Sequence, residues 1–190
     1  MSIPKPKPIL RWMLELSSAA ACLEDLGFAH GDINPQNILL DAQDHLRLID
    51  FDHSPRIGDA LDVGYEPYVR QHREFSGGVY GIAGPVTEQF ALGSVFWYIT
   101  RNSELYSELE GSEQVDRLLD SEFPATDPNS PVDRIIRNCW NGRYRLIADI
   151  VDEIMALVAP GAHLQRANAD RQKCESTRLC ERYHNLIKSS

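Results

Sequence analysis

Hydrophobic positions along the chain follow two periods. Ile9, Met13, Leu16, Ala20 and Leu23 recur every three or four residues, and Gly27 follows as a stop signal, so a helix is predicted up to that glycine. Ile38-Leu39-Leu40 and Leu46-Arg47-Leu48-Ile49 are short apolar stretches around the polar Asp41-Ala42-Gln43-Asp44, the pattern of a β-hairpin. The apolar run from Glu88 to Ile99 predicts a core helix, too short to span a bilayer. Val115 to Phe123, Pro131 to Trp140 and Tyr144 to Ala159 are three further apolar-periodic segments, separated by Pro, Asp, Asn and Gly. The pattern predicts a mostly α fold with one small hairpin.

The hairpin brings chemistry together. In an antiparallel pair the start of the first strand and the end of the second lie at one edge, which makes Asn37 and Asp50 neighbours in space. Asp32, on a loop stiffened by Pro35, can face the same point. Two carboxylates and an amide oxygen thus converge. Oxygen ligands suit Mg²⁺, which takes few protein ligands and completes its shell with water and phosphate. With Asn37 and Asp50 on a metal, Asp32 remains free to accept a hydroxyl proton.

The stretch His30-Gly31-Asp32-Ile33-Asn34-Pro35-Gln36-Asn37, followed after the hairpin by Asp50-Phe51-Asp52, resembles the catalytic loop and metal-binding motif of protein kinases. The resemblance implies Asp32 as catalytic base, Asn37 and Asp50 as ligands of Mg²⁺ bound with ATP, and His30 and Phe51 as packing residues. It also implies a kinase-like C-terminal lobe. The first helix corresponds to helix E, the Glu88 run to the central helix F, and the last three segments to helices G, H and I. Glu88 stands where kinases carry an aspartate that holds the catalytic-loop backbone. Gly64-Tyr65-Glu66-Pro67-Tyr68-Val69 is similar to the end of an activation segment, but Arg70-Gln71-His72 replaces the Ala-Pro-Glu that should follow. Arg171 is a candidate for the arginine that pairs with that missing glutamate.

Three departures accompany the match. Gly31 replaces the arginine that pairs with a phosphorylated activation loop, so activation by that route is not expected. Asn34 stands where serine/threonine kinases carry a lysine, removing a stabilising charge from the transition state. Asp52 replaces a glycine, which is expected to restrict the backbone there. His-Gly-Asp and Ile-Asp-Phe-Asp are also similar to small-molecule phosphotransferases of the aminoglycoside and choline kinase type.

A complete kinase carries an amino-terminal lobe with a glycine-rich turn, a phosphate-pairing lysine and a helix C glutamate. Here residues 1–8, with alternating prolines from Pro4 to Pro8, are expected to be extended, residues 9–188 to form the C-lobe, and the N-lobe to be missing. Lysines occur only at Lys5, Lys7, Lys173 and Lys188, leaving none in the centre to replace the absent one. An apolar surface is expected where that lobe would sit, covered by a protein partner or by self-association. Three functions follow: ATP-dependent phosphoryl transfer to a protein hydroxyl, a non-catalytic pseudokinase module or truncated product, or a small-molecule phosphotransferase.

Composition narrows the setting. A net charge of -9 argues against nucleic acid or an anionic membrane as partner. No apolar leader follows Met1, and the four cysteines (Cys22, Cys139, Cys174, Cys180) lack Cys-x-x-Cys spacing, so a reducing cytoplasmic setting is expected. The glycines of Gly77-Gly78-Val79-Tyr80-Gly81-Ile82-Ala83-Gly84 lie at phosphate-loop-like intervals, yet no Gly-Lys-Ser/Thr follows, and a connector is predicted. Ser54, Tyr65, Tyr68 and Thr87 are expected to be exposed hydroxyls.

Overall fold

The computed structural model describes residues 8–69, 80–109 and 111–158. Residues 1–7, Arg70-Gln71-His72, Gly77, Gly78, Arg171, the four lysines, Cys174 and Cys180 lie outside them. Helix α1 spans Ile9–Asp25, strands β1 and β2 span Ile38–Leu40 and Leu46–Leu48, and four helices follow: α2 Pro85–Arg101, α3 Gly111–Leu119, α4 Pro131–Trp140 and α5 Ile147–Val158. Among the described residues the result is mostly helical with one antiparallel hairpin, the architecture of a kinase-like C-terminal lobe.

Helix α1 stops where the glycine predicts. Gly27 takes φ +82°, its N–H reaches the Glu24 carbonyl at 2.9 Å, and the Phe28 N–H reaches the Leu23 carbonyl at 2.9 Å. This pair of bonds is the Schellman arrangement, which satisfies carbonyls the helix end would otherwise leave open. Helix α2 begins on Pro85, whose missing N–H costs nothing in the first turn, and ends on Asn102 at φ +58°. It is five residues longer than its apolar run suggested, because Pro85-Val86-Thr87 form its first turn and Thr100 and Arg101 extend its end. Every residue from Glu88 to Phe96 is buried, so the middle of α2 is enclosed on all sides. No described helix is long and apolar enough to cross a membrane.

The core forms around two packings, α1 against α5 and α2 against α4. In the second, a Cβ on Gly93 would lie 2.8 Å from Cys139 Cβ and 3.1 Å from Trp140 Cδ1, so the glycine is what lets the helices approach. Trp140 donates from Nε1 to Ser94 Oγ at 3.2 Å and stacks on Phe123 at 5.0 Å between centroids. Helix α4 matches its predicted span, with Ser130 Oγ accepting the Asp133 N–H at 3.2 Å and Pro131 opening the helix. Helix α3 lies four residues earlier than its apolar segment. Phe123 belongs to the following loop and owes its burial to Trp140, not to helical periodicity. Helix α5 starts at Ile147, because Asp149 Oδ2 accepts the Arg145 and Leu146 N–H groups (3.1 and 3.0 Å) and so caps the entry after Tyr144.

The hairpin pairs Ile38 with Leu48, Leu39 with Arg47 and Leu40 with Leu46. Its tip hangs on α1: the Asp44 carbonyl accepts from Arg11 Nη2 (2.6 Å) and Trp12 Nε1 (2.7 Å), and Glu15 accepts from the Leu46 N–H at 2.8 Å. Leu39 and Leu40 remain 53% and 55% exposed. The described end of the glycine-rich stretch is a connector. Its Tyr80 and Ala83 N–H groups are spent on the Leu61 and Asp59 carbonyls at 3.0 and 2.8 Å, leaving no cradle for an anion from these two groups.

Gly93→Ala tests the helix contact. The substitution adds about 1 kcal/mol of helix propensity but forces the α2–α4 seam apart, at a cost of roughly 1–3 kcal/mol. A net loss of stability in urea unfolding is expected, and a net gain would refute the close approach.

Candidate functional site

Between α1 and the hairpin runs a loop with little regular structure of its own. Its backbone is held from α2: Glu88 Oε2 accepts the His30 N–H at 2.8 Å and Oε1 accepts the Gly31 N–H at 3.1 Å. Glu88 is only 4% exposed. Burial pushes its carboxyl up to about 7, against the two N–H groups, which favour the charged form, while the Glu24 carboxylate adds to the rise. The position expected to hold the loop therefore does so, with both oxygens.

Gly31 sits at φ +82°, and a Cβ there would meet Pro55 Cδ at 2.8 Å and Leu61 Cδ1 at 3.2 Å. Both the backbone and the space exclude a side chain. The arginine of the kinase motif has no room in this loop, and the departure is built into the packing around Pro55.

His30 is 1% exposed and ties the loop to the end of the hairpin. Its Nδ1 accepts the Asp32 N–H at 3.3 Å, which leaves the ring proton on Nε2, facing the Ile49 carbonyl at 2.9 Å. Burial lowers its pKa, outweighing the Ile49 carbonyl and the Asp32 and Asp50 charges, so the ring is neutral. The ring also meets Phe51 edge-on, 5.3 Å between centroids. His30 is a packed core residue, as expected, and its contacts run to both sequence clusters.

Asp32, Asn34 and Asn37 form one network. Asn34 caps the single 3-10 turn Pro35–Asn37, its Oδ1 accepting the Gln36 N–H at 2.8 Å. Its Nδ2 donates to Asp32 Oδ1 at 2.9 Å and to the Asp32 carbonyl at 3.1 Å. Asn37 Nδ2 donates to Asp32 Oδ2 and to the same carbonyl, both at 2.9 Å. Each Asp32 oxygen thus receives one amide N–H and keeps lone-pair capacity for another donor. Both Asn37 bonds use the nitrogen, which turns the amide oxygen away from Asp32.

Asp50 follows directly on the hairpin, whose last bond runs from the Ile49 N–H to the Asn37 carbonyl at 3.0 Å. Its side chain is exposed and its φ is +67°, a conformation that costs a non-glycine residue free energy and marks functional sites often enough to be informative. The restriction anticipated at Asp52 falls here instead: Asp52 is not among the residues of positive φ. Among the described residues no three His, Cys, Asp or Glu side chains are grouped to hold a metal. The acidic and amide oxygens of Asp50 and Asn37 match the sparse oxygen set that Mg²⁺ uses.

The four hydroxyls expected to be exposed are not. Tyr68 is 2% exposed and donates to Glu104 Oε1 at 3.0 Å; burial and that carboxylate raise its pKa. Tyr65 is half-buried, its ring edge-on to Tyr68, and its phenol is raised by burial and by the Glu104 and Asp32 charges, which places it on the Asp32 side of the site. Ser54 and Thr87 are also half-buried. The Asn34 bond to Asp32 is not legible in the sequence. The only local signal was an Asn before Pro35, a helix-cap pair.

Comparison with known proteins finds similarity to kinases. Residues 11–60 match the lipopolysaccharide kinase (Kdo/WaaP) family. The chain is 26% identical over 176 residues to the serine/threonine-protein kinase-transforming protein mos of myeloproliferative sarcoma virus (isolate ts159), covering 82% of this chain and 45% of that protein. It is 28% identical over 136 residues to human serine/threonine-protein kinase MRCK gamma, covering 63% of this chain and 8% of that one. Over 68 residues it is 35% identical to the Saccharomyces cerevisiae kinase CBK1, covering 36% of this chain and 9% of that one. The chain spans under half the length of each of these relatives.

Two outcomes are expected at the loop. Gly31→Arg, which restores the kinase residue, destabilises the protein by about 2 kcal/mol or more in urea unfolding; an unchanged midpoint would refute the steric reading. For Glu88, the folded carboxyl keeps its proton at pH values where the unfolded one, with a pKa near 4.5, has lost it. Its contribution is fully present below about 4.5 and is lost as pH rises through about 7. The stability difference between wild type and Glu88→Gln should therefore fall across that window by up to ~1.4 kcal/mol per pH unit. A difference that is flat with pH would contradict the burial of this carboxyl.

Proposed function

Because the chain belongs to the protein kinase-like superfamily, we propose that residues 30–52 are the base-and-metal half of a site that transfers the γ-phosphoryl of ATP to a hydroxyl. The observation that carries this reading is the Asp32–Asn37 network at the hairpin edge beside Asp50. A protein hydroxyl is the favoured acceptor, since two of the serine/threonine kinases above align over 82% and 63% of the chain.

In this mechanism Asp32 orients the acceptor hydroxyl and takes its proton as the new P–O bond forms and the bond from the γ-phosphorus to the β,γ-bridging oxygen breaks, releasing ADP. Asn37 keeps Asp32 in place through Nδ2 and offers its oxygen, with the Asp50 carboxylate, to Mg²⁺. Bound there, the ion supplies charge to the phosphate oxygens. Glu88 fixes the loop, and neutral His30 sets the distance between its two halves without itself exchanging protons. The elements that grip nucleotide in this superfamily have no counterpart among the described residues, and Leu39 and Leu40 provide apolar surface for them. A lobe or partner docked there completes the site.

A second reading is favoured by a specific observation. The Kdo/WaaP match covers the His30-Gly31-Asp32 loop, and Gly31 is enforced by Pro55, so the acceptor would be a carbohydrate or other small-molecule hydroxyl. In a third, non-catalytic reading the same fold serves as a binding module.

Calorimetry with ATP and Mg²⁺ separates them. Metal-dependent binding that weakens at least about tenfold in Asp50→Ala is expected, while Asp32→Asn keeps binding and lowers transfer by roughly 10²- to 10⁴-fold. Transfer to peptide hydroxyls supports the first reading, and transfer only to sugars supports the second. Binding that ignores Asp50→Ala sinks the metal assignment.

A further inference from the structure

By its place in the motif Asn34 is a loss, the absence of a cation beside the transferred phosphate. In the structure it is occupied at both ends. Its oxygen accepts the Gln36 N–H at 2.8 Å, a bond only an oxygen can make, so its nitrogen must be the end that meets Asp32 Oδ1 at 2.9 Å. Asn37 approaches the other oxygen of the same carboxylate, again with its nitrogen, at 2.9 Å. Asn34 is 1% exposed and Asn37 9%. Neither amide can rotate without leaving Asp32 or a backbone group unpaired inside the protein, which is costly.

The geometry points to Asn34 as a positioning residue: it clamps the Asp32 carboxylate against Asn37, fixing both the oxygen lone pairs left for the acceptor hydroxyl and the direction of the Asn37 amide oxygen. The three side chains behave as one rigid unit, Asn34 to Asp32 to Asn37, anchored on the 3-10 turn at one end and on the hairpin bond at Asn37 at the other. Asn34 touches neither acceptor nor phosphate in this scheme. It acts through Asp32. An uncharged amide performs the orienting part of a lysine's role and gives up its charge. The inference about roles in catalysis rests on the transfer reading above; the coupling of the three side chains does not.

Asn34→Asp is the discriminating variant. The new carboxylate still accepts from the Gln36 N–H, so the turn keeps its cap, but the donor to Asp32 is gone and a like charge takes its place. Asn34→Ser keeps the cap without the charge and serves if the first variant fails to fold. In the ¹⁵N-labelled full chain without metal or nucleotide, the side-chain NH₂ protons of Asn37 are expected to shift and to exchange about tenfold faster with solvent in either variant. Asn37 amide signals identical to wild type in both variants would overturn the inference.

Kinetics supply the second readout. With the acceptor identified for the wild type, kcat is expected to fall roughly 10- to 100-fold with acceptor KM within about twofold. A rise in KM at constant kcat would overturn positioning in favour of direct acceptor binding. If the wild type transfers no phosphoryl group at all, the transfer reading fails, and the NH₂ signals of Asn37 still decide whether Asn34 clamps the network.

Discussion

One buried carboxylate holds the site together. Glu88 reaches from the first turn of α2 into the loop that precedes the hairpin and binds two consecutive backbone N–H groups. Without it, two backbone donors at the start of the loop would be left open in the interior. The cost of burying the carboxyl is visible in its raised pKa. What that cost secures is a loop whose shape is borrowed from the enclosed central helix.

The remaining site features depend on that path. Gly31 can adopt φ +82° only because it has no Cβ to strike Pro55, and the turn it makes aims His30 at the Ile49 carbonyl and Asp32 at the two asparagines. His30 then spans to the strand end that carries Asp50. Each contact is short in space but joins segments apart in sequence: loop to helix, loop to hairpin, hairpin to α1 through Asp44. Charge is sparingly compensated here. The carboxylates of Asp32 and Glu88 are met in these contacts by neutral N–H donors, not by cations.

Local signals carried much of this. Gly27 and Ser130-Pro131 mark helix ends by the backbone conformations they favour, and both ends fall where those residues stand. The alternation of apolar and polar stretches placed the hairpin and so brought Asn37 beside the residue before Asp50. Contacts between distant segments were not legible in the same way. Phe123 looked helical because a residue buried by Trp140 is as apolar as one buried by its own helix. Tyr68 looked exposed because nothing near it in sequence announces Glu104. Asn34 read as a missing lysine because comparison with a motif reports what a position lacks, whereas its hydrogen bonds depend on where Asp32 points.

The Glu24 carboxylate, at the end of α1, accepts the N–H of Ile147 at 2.8 Å across 123 positions of sequence. The first and last described helices are thus fastened at the level of a single backbone group, and their packing is among the most extensive in the fold. In time, this means that α1 cannot finish burying its apolar face until nearly all of the intervening chain has been made and brought back. Closing so long a loop is slow and entropically costly. The segment with the catalytic-loop motif, just after α1, is therefore made well before the partner helix that completes its foundation.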